Sequence, residues 1–558
     1  MFSKNLEYIN NEDLKKRLSN LKLEESRLDI SYCMTTSNDY LLLKNDIPLD
    51  DLNNPRKAIQ DMISSSIKQP MEKNDIIITF GIGLCYQLDE VFNTYPSRIF
   101  VYEPDTQLLH FVLNNVDISD HLKSGRVFIY DKLDDLLTKL SEIYITKDKV
   151  EVVYLKNYAV VKNQELLELS QKVYETCRSK TVDVNTITRY SKIWLKNTLD
   201  NICSANNSTV YKLSDLNDKF IGETALVVGA GPSLLDNIQF IKDNREKFVI
   251  FAANKVLRTL INNNITPDFV VCVDARYISM SLDGLEDELS KINCIMHINS
   301  DHDIFTKTFK KTFLAFPEND IVIKKLAEYN NTIKTQEYGG SATTAAFVSA
   351  VNMGFSKVIL AGVDLAFKDN VVYSSGDLFE KVSANQVKIN NIVKNITTVP
   401  SVLGVDILTT DDYAAFIQHF STLIKDLGYT EIYNITPFGA AIPGVKNTKL
   451  ETTLLLEISN TTSIKLGEVL PFKFNTEVWT QNELALINNV IELLSKGTFS
   501  PALISAIVKS SLLYQYMQAD ILEVLQSRMA EGLADDFVAK TKDSIKYIID
   551  TLQKNRLI

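Results

Sequence analysis

The sequence predicts an α/β protein with a central doubly wound, Rossmann-like sheet, an N-terminal Rossmann-like α/β domain and a C-terminal helical bundle. From Leu226 onward, short apolar, β-branched segments alternate with helical ones, which is typical of a largely parallel sheet. Beyond Gly444, apolar residues recur at helical spacing, which indicates a bundle of helices. The predicted central strands are ALVVG, KFVIFA, DFVVCVD, NCIMHI, TFLAF, KVILAG and EIYNIT.

Changes of pattern divide the 558 residues into successive regions. The segment 132–215 carries apolar side chains at helical steps, and no proline or glycine occurs from Asn163 to Ile202. The segment 368–408 interrupts the alternation of strands and helices, and an insertion of this length tends to be functional, as a lid or an acceptor platform. The predicted regions are an N-terminal α/β domain (1–131), a helical connector (132–215), a central domain (216–446) that contains the inserted segment, and a C-terminal helical domain (447–558).

The composition is that of an ordinary globular protein, with 45% hydrophobic residues, 23% charged residues and a net charge of −11. An acidic chain is a poor general binder of nucleic acid. Its N-terminus lacks the apolar core of a signal peptide, and no apolar run approaches the length of a membrane span. We therefore expect a cytoplasmic protein that binds neither membranes nor nucleic acid. The five histidines and six cysteines form no zinc-binding spacing, so no metal site is expected.

The first central strand, Thr224–Val228, runs into a glycine turn that leads to an amphipathic helix. Such a turn can cradle a phosphate, because glycines let the backbone come close, N–H groups point at the anion and the helix dipole favours its charge. The alternative is a tight turn that needs glycine without any ligand. The residues predicted to hold a phosphate here are Gly229, Gly231, Pro232, Ser233 and Leu234.

Polar residues follow several of the other predicted strands, at the edge where parallel sheets bind ligands. A second glycine turn, Gly340-Ser341, opens a later helix, where the serine either caps the helix or holds a second anionic group. A single polar residue at a strand end is usually a turn or cap residue, but several on one edge predict a pocket. The predicted pocket residues are Asn254, Asp274, Gly340, Ser341, Asp364, Asn434 and Thr436.

The N-terminal region contains a comparable unit, in which Gly81 and Gly83 follow a predicted strand. Tyr86 occupies the place of the third glycine of a dinucleotide-binding turn, and Glu103 lies where a ribose-binding carboxylate would be. The unit is either a second nucleotide site or a scaffold with a vestigial loop, and the missing glycine favours the scaffold.

Several ordered segments resemble one known family, the Maf motility-associated factors, which are bacterial flagellin glycosyltransferases. The segments over about residues 225–445 are GAGPSL, FAANK, PDFVVCVDA, GGSATTAAFVSAVNMGFSKVILAGVDLAF and NITPFGAAIPG, and FGIGLCYQLDEVF and FVYEPD precede them. A weaker similarity connects Gly229–Leu234, Asn254, Gly340-Ser341 and Gly362-Val363-Asp364 with bacterial sialyltransferases that use CMP-sialic acid.

The resemblance implies that the central domain binds a nucleotide sugar. It further implies transfer of a nonulosonic acid, such as pseudaminic or legionaminic acid, from a CMP-activated donor to serine or threonine of flagellin. In this family that activity is needed for flagellum assembly and motility. The partners would be flagellin and the CMP-sugar, and the CMP-sugar is a substrate, so no cofactor is expected.

The chain departs from the related sialyltransferases at their catalytic histidine, which follows the lid. Here that region reads LTTDDYAAF. Asp412 is therefore a candidate catalytic base in place of the histidine, unless it only complements the dipole of the helix that begins there. Asp364 is the competing candidate, or it orients the donor sugar.

Two other functions stay open. A pterin pyrophosphokinase family resembles the same central domain, and such an enzyme would need Mg²⁺ held by carboxylates such as Asp274 and Asp364. A non-enzymatic chaperone would bind flagellin through the helical ends of the chain.

Overall fold

The computed structural model describes residues 1–21, 29–369, 371–376, 380–383, 386–389, 392–448, 466–496, 499–527 and 533–558. Parts of the inserted segment 368–408 and of the C-terminal region 447–558 therefore lie outside the described residues. The chain forms two compact units, 1–183 and 184–558. The division falls within the segment expected to be a helical connector.

The first unit contains a four-stranded parallel sheet with the order β6-β5-β4-β7 and a small antiparallel sheet with the order β1-β2-β3. Its strands are β1 (Ile30–Met34), β2 (Tyr40–Lys44), β3 (Ile47–Pro48), β4 (Ile76–Phe80), β5 (Arg98–Tyr102), β6 (Val127–Tyr130) and β7 (Val150–Tyr154). Its helices are α1 (Phe2–Tyr8), α2 (Glu12–Asn20), α3 (Pro55–Ser66), α4 (Tyr86–Thr94), α5 (Thr106–Asn115), α6 (Ser119–Lys123), α7 (Leu133–Ile143) and α8 (Lys156–Val161). The long helix α9 spans Asn163–Asn207.

Strand β7 lies within the segment 132–215, which the sequence predicts to be mostly helical. It pairs with β4 in the parallel sheet, with Ile76 opposite Val150 and Phe80 opposite Tyr154. Its side chains are mostly half-buried rather than fully buried, so its sequence, VEVVY, has no continuous apolar run to mark it as a core strand.

The second unit is built on a nine-stranded parallel sheet with the order β20-β19-β14-β9-β10-β11-β12-β13-β8. Its strands are β8 (Tyr211–Lys212), β9 (Thr224–Val228), β10 (Val249–Ala253), β11 (Phe269–Cys272), β12 (Asn293–His297), β13 (Lys311–Ala315), β14 (Lys357–Ala361), β19 (Ile432–Asn434) and β20 (Lys446–Asn447). All seven predicted central strands are present, and β8 and β20 are two-residue additions at the edges.

Helices cover this sheet and extend it into a C-terminal bundle, which confirms the predicted fold class. The helices between strands are α10 (Leu234–Asp243), α11 (Leu257–Asn262), α12 (Ile278–Leu282), α13 (Glu286–Leu289), α14 (Ile321–Tyr329), α15 (Ala342–Asn352) and α16 (Asp411–Leu427). The bundle helices are α17 (Glu477–Ser495), α18 (Pro501–Lys509), α19 (Ser511–Ser527) and α20 (Leu533–Lys554). One apolar core joins this bundle to the sheet, with Trp479 and Ile548 fully buried beside Cys294.

The inserted segment forms a separate four-stranded antiparallel sheet with the order β15-β16-β17-β18. Its strands are β15 (Glu380–Ser383), β16 (Gln386–Ile389), β17 (Ile392–Pro400) and β18 (Asp406–Thr410). Helix α16 follows β18 directly, with the Thr410 side chain as its N-cap and Gly428 as its C-cap.

The order of the strands places a topological switch between β9 and β14. From β9 the chain proceeds outward through β10 to β13, and then returns to the other side of β9 as β14. The two connections leave this pair of strands in opposite directions, and open α/β sheets bind ligands beyond the carboxyl ends of the strands at such a point. The glycine turn and Asp364 both lie at this point.

Candidate functional site

The glycine turn and the strand end after β14 pack directly against each other. The N–H groups of Gly229 and Gly231 donate to the carbonyl oxygens of Ala361 and Gly362, each over 2.8 Å. A Cβ atom at residue 231 would lie 2.6 Å from the Asp364 carboxylate and 2.7 Å from the Gly362 carbonyl oxygen. Glycine is therefore required here by the close approach of two protein segments.

Asp364 closes the turn with its carboxylate. Its Oδ2 accepts from the Ser233 N–H over 2.8 Å, and its Oδ1 accepts a short hydrogen bond from the Ser233 hydroxyl. Helix α10 begins at Leu234, so Pro232 and Ser233 lie in the turn before it. The anion that meets the two Ser233 donors in the structure is thus a carboxylate of the protein, and the phosphate site at this turn stays a prediction.

Burial dominates the electrostatics of Asp364, whose side chain is 2% exposed. Desolvation raises the pKa of its carboxyl to about 6, although the hydrogen bonds from Ser233, a contact with Thr436 and the charge of Lys368 act in the opposite direction. A carboxyl with a pKa near neutrality can exchange a proton at physiological pH.

The predicted residues of the last strand lie next to this group. Asn434 pairs with Leu360 of β14, and its Oδ1 accepts from the Thr436 N–H over 3.0 Å. The Nδ2 of Asn434 is buried and has no hydrogen-bond partner within the described part of the chain. A buried donor without a partner is costly, and a bound ligand or water at this edge would satisfy it.

Asn254 and Asp274 lie on the other side of the glycine turn. Asn254 is buried at the end of β10, where its Nδ2 donates to the Ser281 hydroxyl over 3.3 Å. Asp274 lies two residues beyond β11 and keeps contact with solvent. Partial desolvation by its neighbours nevertheless raises the pKa of its carboxyl, and the charge of Lys255 opposes that rise.

Gly340 and Ser341 precede helix α15 at the same edge. The Ser341 hydroxyl accepts from the Thr344 N–H over 3.1 Å, and the Thr344 hydroxyl in turn accepts from the Ser341 N–H. This reciprocal capping box accounts for the serine without a ligand. At Gly340, by contrast, a Cβ would make only ordinary contact with Phe416, at 3.4 Å.

Asp412 lies in the first turn of α16, where its carboxylate accepts from the Lys394 ammonium over 2.6 Å. Its side chain is 38% exposed. Burial and the neighbouring Tyr373 hydroxyl raise the pKa of Tyr413, and the charges of Asp412 and Asp364 act in the same direction. Of the two predicted catalytic carboxylates, Asp364 is buried and Asp412 is accessible.

The segment after Asp364 reaches back over the glycine turn. The Ser374 N–H donates to the Ala230 carbonyl oxygen over 2.8 Å. The neighbouring Tyr373 hydroxyl accepts from the Tyr413 hydroxyl over 3.3 Å, and the Lys255 ammonium lies 5.0 Å from the centre of the Tyr373 ring. The sequence analysis singled out none of these side chains, because their contacts join segments that are far apart in the chain.

His297 is a further polar residue that the sequence analysis missed. It is the last residue of β12, is 5% exposed, and packs against Tyr338 with 5.0 Å between ring centres. Burial lowers its pKa to about 3, so the imidazole is neutral, and its Nε2 has no hydrogen-bond partner among the described residues. The sequence signal that could have identified His297 is its position near the end of a predicted strand. The spacing between histidines indicates metal sites and gives no information about a single neutral histidine.

The N-terminal glycine turn is filled by protein groups. Glu103 is fully buried and accepts from the Ile82 N–H over 3.0 Å and from the Tyr158 hydroxyl over 2.5 Å. The Tyr158 ring would lie 2.6 Å from a Cβ at residue 81. These contacts satisfy the turn with protein groups, and the interpretation of this unit as a scaffold stays a prediction.

In the part of the chain with assigned positions, no group of three or more His, Cys, Asp or Glu side chains could hold a metal ion. No helix within the same ranges is long and apolar enough to cross a bilayer.

Comparison with solved structures identifies the architecture. The Maf glycosyltransferase from Magnetospirillum magneticum AMB-1 aligns with 100% of this chain and 96% of its own, with a TM-score of 0.64 and 14% sequence identity. The chain has the fold of a Maf glycosyltransferase. The resemblance predicted from the sequence is confirmed at the level of fold, and the weaker similarity to sialyltransferases stays a prediction.

Two sequence similarities cover smaller parts of the chain. The family described as 6-hydroxymethylpterin diphosphokinase MptE-like matches residues 196–370, which include the glycine turn and Asp364. An uncharacterised protein of Treponema pallidum (strain Nichols) is 29% identical over 124 residues. That match covers 22% of this chain and 56% of the relative, so the chain spans little more than half the length of that protein.

Proposed function

We propose that this chain is an inverting glycosyltransferase that moves a nonulosonic acid of the pseudaminic or legionaminic type from a CMP-activated donor to serine or threonine of flagellin. The observation that supports the proposal is the likeness of the whole chain to a solved Maf glycosyltransferase. In this role the protein acts in the cytoplasm and serves flagellum assembly and motility.

The proposed donor site is the carboxyl edge of the parallel sheet on both sides of the β9–β14 switch. The orphaned amide of Asn434 supports this location, because a buried donor without a partner calls for a ligand or water. The residues proposed to line the site are Gly229, Gly231, Pro232, Ser233, Leu234, Asn254, Asp274, Gly340, Ser341, Asn434 and Thr436.

The two carboxylates fit different roles. Asp412 is accessible at the rim and is the proposed base, which takes the proton of the acceptor hydroxyl once Lys394 exchanges its contact. Asp364 uses both oxygens to hold Ser233, so its proposed role is to fix the glycine turn and orient the donor. The acceptor oxygen then bonds to the anomeric carbon while the bond from that carbon to the CMP phosphate breaks.

The test is mass spectrometry of flagellin from cells with and without this protein. We expect serine- or threonine-containing flagellin peptides to lose the mass of a nonulosonic acid when the protein is absent and to regain it on complementation with the wild-type chain. Identical glycopeptides in both strains would contradict the proposal.

A diphosphokinase is the second candidate, favoured by the match of residues 196–370 to the MptE-like family. That chemistry transfers a diphosphoryl group from ATP and calls for Mg²⁺ held by carboxylates such as Asp274 and Asp364. The present arrangement fits a cation poorly at Asp364, because both carboxylate oxygens already accept from Ser233. Release of AMP from ATP in the presence of a pterin alcohol would support this candidate.

A further inference from the structure

The sequence of the glycine turn suggests that backbone N–H groups bind the phosphate of the departing CMP. In the structure, three of these N–H groups bond within the protein instead. When the bond to the sugar breaks, the electron pair stays on the phosphate oxygen, and the charge of CMP increases from one to two. A fixed positive group at that oxygen lowers the barrier most. The N–H groups of Gly229, Gly231 and Ser233 are all engaged within the protein, so a basic side chain is a suitable source of the stabilising charge.

Two basic side chains near this edge already face a carboxylate. The Lys368 ammonium lies 3.5 Å from the Asp236 carboxylate, and the Lys394 ammonium lies 2.6 Å from that of Asp412. Lys255 differs from both. Within the described ranges, no carboxylate oxygen lies within 4.0 Å of its ammonium group, although its charge acts on the Asp274 carboxyl, and the ammonium lies over the Tyr373 ring.

Lys255 is also well placed. It directly follows Asn254, in the short 3₁₀ helix Asn254–Val256 at the carboxyl end of β10, the strand beside β9. Tyr373, which its ammonium contacts, belongs to the segment that Ser374 fastens to Ala230 of the glycine turn. The charge therefore lies against the segment that is fastened to the turn. A cation on a ring face keeps much of its attraction for an anion.

We propose that Lys255 binds the phosphate of the donor and stabilises the charge that develops on it during transfer. The inference rests on the proposed function for its choice of CMP as the ligand. In the step itself, the acceptor oxygen forms a bond to the anomeric carbon, the carbon–oxygen bond to phosphate breaks, and the acceptor proton passes to Asp412. Lys255 stays protonated and gains a stronger contact as the phosphate becomes a dianion.

The experiment compares the binding of CMP, cytidine and ATP by calorimetry in the wild type, Lys255→Met and Lys255→Arg. Lys255→Met removes the charge from an exposed side chain and keeps its length, so the fold should be retained. We expect it to weaken CMP binding about tenfold or more and leave cytidine binding unchanged, and we expect Lys255→Arg to restore most of the affinity. Lys242→Met, an exposed lysine in the last turn of α10, is the matched control and should bind CMP normally.

The outcomes separate this inference from the proposed function. If the wild type binds CMP and Lys255→Met binds it equally well, the role of Lys255 is wrong and the proposed function stands. If the wild type binds ATP but not CMP, and the binding depends on Lys255, the proposed function fails while the anion site at Lys255 is supported. A wild-type protein that binds none of the three ligands overturns both.

Discussion

Asp364 is almost completely buried, and each of its carboxylate oxygens accepts a hydrogen bond from Ser233. These hydrogen bonds lower the pKa of the carboxyl by less than burial raises it. Desolvation raises the pKa of its carboxyl to about 6 despite the donors of Ser233. A raised pKa means that the folded state favours the protonated carboxyl, so the stability linked to this group is present below pH 3.8 and is lost as the pH rises through 6.

The division of roles between the two carboxylates can be tested directly. We expect Asp412→Asn to lower the turnover number about a hundredfold or more with nearly unchanged donor affinity, because the amide keeps the size of the side chain and removes the basic oxygen. Asp411→Asn, in the same helical turn, is the control and should keep most of the activity. Normal turnover in Asp412→Asn together with an inactive Asp364→Asn would move the role of base to Asp364.

Gly231 and Gly340 provide a matched pair for the two glycine turns. We expect Gly231→Ala to destabilise the protein by roughly 1–3 kcal/mol, because the new methyl group would overlap the Gly362 carbonyl oxygen and the Asp364 carboxylate. Gly340→Ala meets only ordinary contacts and should change the stability by less than about 0.5 kcal/mol. Urea unfolding of both variants measures this difference, and equal stabilities would show that the turn does not depend on this packing.

At the scale of residues, the sequence identified the strand ends that converge but not the contacts between them. Asp364, Ser233 and Thr436 could be placed on one edge because parallel strands share their carboxyl ends. The sequence does not reveal that the Asp364 carboxylate accepts hydrogen bonds from the Ser233 N–H and hydroxyl. That pairing follows from the lateral order of β9 and β14, which are more than a hundred residues apart in the chain.

In both units, a buried acidic side chain closes a glycine turn by accepting hydrogen bonds from it. In each, an acidic residue beyond a neighbouring parallel strand accepts from an N–H of the turn: Glu103 from Ile82 in the first unit, and Asp364 from Ser233 in the second. In the first unit Tyr158 completes the closure. A strand, a glycine turn and a helix therefore predict the backbone shape, while the groups around the turn decide whether a ligand can enter.

Closure of the first turn has a pH dependence of defined sign. Burial raises the pKa of Glu103 from 4.5 to about 7, so its contribution to stability is complete below pH 4.5 and is lost as the pH rises through 7. Relative to Glu103→Gln, the wild type should lose on the order of 3 kcal/mol of stability between pH 4.5 and pH 8. Calorimetric unfolding of the full chain at several pH values measures this change.

The control for this measurement is Glu142→Gln, at an exposed position of α7. Its stability relative to the wild type should change little over the same pH range. If the difference between the wild type and Glu103→Gln were constant from pH 4.5 to pH 8, the burial of Glu103 as a proton-binding carboxyl would be contradicted.

At the scale of elements, long patterned segments were predictable and short ones were not. The seven central strands are fully or largely buried and read as apolar runs. The two-residue strands β8 and β20 are too short to carry a period, and β15 is exposed along its whole length. Such strands form because a neighbouring strand offers hydrogen bonds. A prediction from the local sequence cannot identify that neighbour, because it lies elsewhere in the chain.

At the scale of the whole molecule, the sequence predicted an α/β core and a C-terminal bundle, and the structure has both. The division between its two units falls at residues 183 and 184, inside α9. A continuous helix without proline or glycine leaves no break in the pattern at such a point. The strand order, with β9 and β14 adjacent, likewise depends on long-range pairing that composition and periodicity do not encode.

The central claim is that the carboxyl edge of the nine-stranded sheet serves transfer from a CMP-activated sugar. Its most direct test is chromatography of the nucleotides released when the purified chain is incubated with a CMP-nonulosonic acid, flagellin, ATP and a pterin alcohol, with and without a chelator. We expect CMP to be released in step with a mass gain of flagellin, and the chelator to leave this release unchanged, because a single phosphate attached to the sugar can be stabilised by a lysine. Release of AMP from ATP that stops with the chelator, without release of CMP, would contradict the account.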